Sequence, residues 1–66
     1  MGAVNCYVLS DKPARFYENL LRNNEVLKFR VYGESLFIGY RLLSVAEDEW
    51  GKARAVLEPY LMPGEG

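Results

Sequence analysis

Apolar and polar positions along the chain sort into five segments. Ala3 to Leu9 is a β-branched and aromatic run, which predicts a strand over residues 3–9. Ser10-Asp11-Lys12-Pro13 then predicts a helix over 12–22, with Ser or Asp as cap and Pro in the first turn, where its missing N–H costs nothing. Phe16, Tyr17, Leu20 and Leu21 form one apolar stripe of that helix. Glu18 stands one turn before Arg22, an ion-pair orientation worth about 0.3–0.5 kcal/mol. Asn23-Asn24 tolerates left-handed backbone and predicts the stop.

Leu27, Phe29 and Val31 alternate with Lys28, Arg30 and Tyr32, the period of a strand, here over 26–32. A second run predicts a strand over 36–43, and Gly33-Glu34 between them suits a two-residue type II′ hairpin. That turn pairs Val31 with Leu36, Phe29 with Ile38 and Leu27 with Tyr40 on an apolar face. The opposite face then pairs Tyr32 with Ser35, Arg30 with Phe37, Lys28 with Gly39 and Val26 with Arg41. A one-residue slip would mix the two faces.

Ser44-Val45-Ala46-Glu47 reads as a capping box, and Glu47-Asp48-Glu49 places three acids in the positive first turn of a helix over 45–58. Its core stripe is Ala46, Trp50, Ala53, Leu57 and Tyr60; Pro59 ends the regular helix near Leu57–Glu58, and residues 63–66 form a tail. The order is strand–helix–strand–strand–helix. The third strand, apolar on both faces apart from Arg41, belongs at the sheet centre, and a right-handed crossover gives the order 1-3-2. The expected fold class is therefore α+β. It is a β-α-β-β-α split-βαβ, or truncated ferredoxin-like, arrangement, with a three-stranded, mostly antiparallel sheet and both helices on one face.

Sixty-six residues allow one domain, 1–66, and a chain this short buries only about 60% of its unfolded surface, so its stability alone is marginal. One Cys gives no internal disulfide, and the absence of His removes the commonest acid–base group and metal ligand. Disulfide-stapled folds, zinc fingers and His-dependent catalysis are excluded. The net charge of −1 counts against a dedicated duplex-DNA binder, whose affinity comes from phosphate neutralisation. No run approaches the ~18 apolar residues of a membrane span, so a cytoplasmic protein is expected. The absence of Gln and Thr, with Arg exceeding Lys, is compatible with a thermophilic source.

Two surfaces are candidates for function. Tyr7, Lys28, Arg30, Tyr32, Phe37 and Arg41 share the face that no helix covers, and aromatics interleaved with cations are what a single-stranded nucleic-acid platform uses. The alternatives are a solvated face with an Arg30–Phe37 cation–π contact, or a face buried by another subunit. The second surface is the edge of the first strand, where Val4, Asn5, Cys6, Tyr7 and Val8 include no Lys, Arg, Glu or Pro to discourage pairing. Such an edge favours a homodimer, unless Tyr60-Leu61-Met62 returns to cover it. Cys6 has no base to activate it and reads as a small core residue. Glu47, Asp48 and Glu49 point about 100° apart on a helix and cannot converge on one ion. No catalytic residue, metal site or cofactor is expected. The leading function is a non-catalytic, self-associating interaction domain, and the alternative is single-stranded nucleic-acid binding.

Three resemblances accompany this reading. The element order resembles an RNA-recognition-motif domain without its fourth strand, which implies stacking aromatics where Tyr7 and Phe37 stand; Glu34 to Tyr40 lacks that family's basic-Gly-aromatic opening. Ala14 to Leu21, with its Phe16-Tyr17 pair, is similar to the first helix of glyoxalase-type (vicinal oxygen chelate) modules, whose His ligands have no counterpart here. Taken whole, Asn5-Cys6-Tyr7-Val8, Phe16 to Leu21 and Leu36 to Arg41 resemble a small domain family of thermophilic bacteria that implies no function.

Overall fold

A computed structural model describes residues 2–37 and 39–63, with backbone alone for 34–37. Ile38 and residues 64–66 of the predicted tail at 63–66 lie outside the described residues. The elements are β1 (Ala3–Leu9), α1 (Ala14–Arg22), β2 (Phe29–Phe37), β3 (Tyr40–Ala46) and α2 (Trp50–Leu57), with 3₁₀ turns at Glu47–Glu49 and Glu58–Tyr60. The three strands form an antiparallel sheet in the order β1-β3-β2, an α+β fold. Cross-strand register runs Val4–Val45–Phe29 and Cys6–Leu43–Val31 on the core side. Against these rows pack Tyr17 and Leu21 of α1, Val26, and Ala53 and Leu57 of α2, all fully buried.

The hairpin turns at a different glycine from the one expected. Phe37 pairs with Tyr40, so the chain reverses between them, and Gly39 holds φ +86, a conformation that suits a residue without Cβ. Gly33 lies inside β2, where the register shifts between Val31 and Ser35 and again before Phe37. The expected pairings of Val31 with Leu36, Phe29 with Ile38 and Arg30 with Phe37 are therefore replaced by Val31–Leu43, Phe29–Val45 and Arg30–Ser44. The later turn carries Leu43 and Val45 into the core opposite Val31 and Phe29. Tyr40, expected in the core, moves to the other face.

The same shift moves the last strand toward the C-terminus, at the expense of the second helix. Ser44 to Ala46 are β3, so the capping box does not form: Ser44 Oγ donates to Asn5 Oδ1 at 2.8 Å, and α2 begins only at Trp50. Its end matches expectation, with Pro59 inside a 3₁₀ turn after Leu57. Leu27, expected in the core, is 71% exposed, because Val26 takes the buried place as the chain leaves α1.

The ends of α1 also differ from the expected signals. Pro13 is itself the N-cap, and no side chain caps the helix. Beyond the helix, Glu25 N–H bonds to Arg22 O and Val26 N–H to Leu21 O, the paired bonds of a Schellman closure. The left-handed residue of that closure is Glu25, at φ 65, one position after Asn23-Asn24. Val26 and Leu21 supply its apolar contact within the core.

Candidate functional site

Alternation along the strands puts a second set of side chains on the helix-free face. β1 contributes Asn5, Tyr7 and Leu9, which stand opposite Ser44, Leu42 and Tyr40 of β3. β2 contributes Arg30, opposite Ser44, and Tyr32. The face is thus graded: a polar row Asn5–Ser44–Arg30 at one end, then Tyr7–Leu42, then Leu9–Tyr40. Tyr7, Leu9, Tyr32, Tyr40 and Leu42 are all half-buried. The Arg30 guanidinium lies over the Tyr32 ring, 5.0 Å from its centroid, in place of the expected contact with Phe37.

Of the six residues expected on this face, Tyr7, Arg30 and Tyr32 lie there, and Phe37 is held by backbone pairing to Tyr40. Lys28 sits just before β2 with its Nζ on Asp48 Oδ2 at 2.7 Å, both side chains exposed. Hydrogen bonding to Asp48, then its charge, raises the Lys28 pKa; the bond from Lys28 lowers that of Asp48. Next to this pair, Glu49 Oε1 accepts the backbone N–H groups of Leu27 and Lys28 at 2.9 and 2.7 Å, which lowers the Glu49 pKa. The acids expected to serve a helix dipole therefore fasten the entry to β2.

Arg41 is the correction with the largest consequence. Its register partner Val8 is fully buried, which places Arg41 on the core side of β3 at 9% exposure rather than on the open face. The guanidinium donates to four backbone carbonyls: Tyr32 and Gly33 at 3.3 and 2.9 Å, Ser10 and Lys12 at 3.3 and 3.0 Å. Arg41 Nε makes no hydrogen bond. The side chain joins the irregular stretch of β2 to the β1–α1 turn, and Ser10 N–H reinforces this by bonding to Gly39 O at 2.9 Å. Beside it, Tyr17 is fully buried and donates to Leu9 O; burial, then the Asp11 charge, push its phenol up to about 12.

The edge of β1 is not bare along its whole length. Leu61 forms an antiparallel bridge with Val8, and Met62 N–H donates to Tyr7 O at 3.0 Å. The returning segment weighed as an alternative thus covers Tyr7 and Val8 of the expected dimer edge, and Val4, Asn5 and Cys6 lie beyond the bridge. Phe16, Tyr17 and Tyr60 stack edge to face beneath this return, with centroids 5.2–5.8 Å apart. Cys6 is buried in the core.

A shallow cleft of about 400 Å³ opens at the polar end of the sheet between Gly2, Lys28, Ala46, Glu47 and Asp48. Among the described residues no group of three His, Cys, Asp or Glu side chains is placed to hold a metal ion, and no helix is long and apolar enough to cross a membrane. A scan against protein-family models, a search of curated proteins and a search of solved structures each return no match.

Proposed function

We propose that this chain is a non-catalytic, cytoplasmic interaction module that self-associates. The observation that carries the reading is the helix-free sheet face, whose middle and one end are Tyr7, Leu9, Tyr40 and Leu42 with no charged group among them. A two-layer domain covers its sheet on one side, and apolar side chains left on the other are stabilised when a partner removes them from water. Charge weakens the nucleic-acid alternative. Arg41 is committed to carbonyls on the core side and Lys28 is paired with Asp48, which leaves Arg30 as the one cation of the original set that is neither buried nor ion-paired among the described residues. One cation supports little phosphate affinity.

Sedimentation velocity over a concentration series, run beside a low-salt titration with a mixed-sequence oligonucleotide, tests this reading. The expected result is a weight-average mass that rises above 7.6 kDa with concentration and an oligonucleotide signal that stays flat. A monomer at every concentration that binds the oligonucleotide more tightly as salt falls would transfer the face to the nucleic-acid reading.

A further inference from the structure

We infer that Leu61-Met62 is a hinged strap that guards the β1 edge, opening and closing by itself while the rest of the domain stays folded. The edge needs a guard. Ala3 to Leu9 carries no charged residue and no Pro, and such an edge pairs readily with another extended chain. The opposite edge is protected differently: β2 carries two register shifts, and the Tyr32 and Gly33 carbonyls are drawn to Arg41.

The hinge lies between Tyr60 and Leu61. Up to Tyr60 the chain is anchored, because the Tyr60 ring packs edge to face on Phe16 and Tyr17 with centroids 5.2 and 5.8 Å away. At Leu61 the backbone leaves the 3₁₀ turn for an extended conformation, φ −73 and ψ 150. The last bond of that turn, from Leu61 N–H to Glu58 O, is stretched to 3.4 Å.

Beyond the hinge the hold is light. Leu61 bridges Val8 and packs half-buried against the core cluster, and Met62 N–H donates to Tyr7 O at 3.0 Å. Opening gives up that contact and that bond, and it leaves every pairing of β1 with β3 in place. Segments tied by few apolar contacts and an edge hydrogen bond open well below the free energy of global unfolding. With the strap open, the edge at Tyr7 and Val8 is uncovered and accepts another strand.

Native-state hydrogen exchange by NMR across low urea concentrations tests the strap. The Met62 amide is expected to be protected by about tenfold to a thousandfold, independent of urea, while the Leu43 and Val45 amides of the central strand exchange far more slowly and with the full urea slope. Leu61→Ala is expected to lower the Met62 protection by about tenfold and to leave the Leu43 and Val45 amides protected. Met62→Pro removes the donor and is expected to raise the rate of thioflavin-positive aggregation severalfold with the far-UV circular dichroism unchanged. Exchange of Met62 together with Leu43 and Val45, or with no protection at all, would overturn the separate strap. Met62→Pro aggregating no faster than the wild-type chain would overturn the guard.

Discussion

Arg41 shows how one side chain can organise a domain this small. Four backbone carbonyls from two segments converge on its guanidinium, a planar fork that a lysine ammonium cannot reproduce. Arg41→Met leaves those carbonyls without their donor and is expected to cost about 3 kcal/mol, and Arg41→Lys about 1–2 kcal/mol, read as a fall in the urea midpoint. The expected turn at Gly33-Glu34 placed this arginine outward, in register with Val26 on the face opposite the core. Only the pairing with Val8 shows otherwise, and pairing is a long-range property. Glu25 gives the opposite sign. At φ 65 a side chain is strained, so Glu25→Gly is expected to raise stability by about 0.5–1 kcal/mol. Asn23-Asn24 drew the left-handed assignment by residue preference, whereas the Schellman bonds to Arg22 and Leu21 fix it at Glu25.

At the scale of elements, strand and helix order and the 1-3-2 topology were legible, because period-two and helical stripes are local signals. The hairpin register was not. Gly33 and Gly39 compete as turn residues, and turning at Gly39 is favoured by burying Leu43 and Val45, a gain no local window contains. The strand–helix boundary at 44–49 moved with it. At that boundary the Lys28–Asp48 pair and the Glu49 bonds hold the entry to β2. Their pH dependence has a defined sign. The Asp48 and Glu49 pKa values are lowered on folding, so their contribution is present above the ordinary carboxylate range and lost as pH falls through the lowered values. Tyr17 acts at the other limit. Its phenol is raised to about 12, so its contribution is intact below the ordinary phenol value near 10.0 and lost as pH rises from there through about 12. Melting temperature against pH should fall on both flanks, and Glu49→Gln should flatten the acid flank. Truncation after Tyr60 removes the Leu61 bridge and the Met62 bond, and is expected to increase aggregation through the uncovered β1 edge, measured by light scattering.

At the scale of the whole molecule, half-apolar composition in 66 residues puts apolar side chains on both faces of the sheet, with Tyr7, Leu9, Tyr40 and Leu42 half-buried on the helix-free one. Tyr7 and Tyr32 lie on the helix-free face, where the sequence pattern put them; Leu42 stands there as well because the β3 register turns Leu43 inward. The proposed self-association surface is therefore the sheet face rather than the β1 edge. Isotope-filtered NMR on a mixture of labelled and unlabelled chains tests this most directly. The expected result is intermolecular contacts from the Leu42 methyls to the Tyr7 or Tyr40 ring of the other copy, growing with concentration. Intermolecular contacts confined to the strand edges, or none at millimolar concentration, would contradict it.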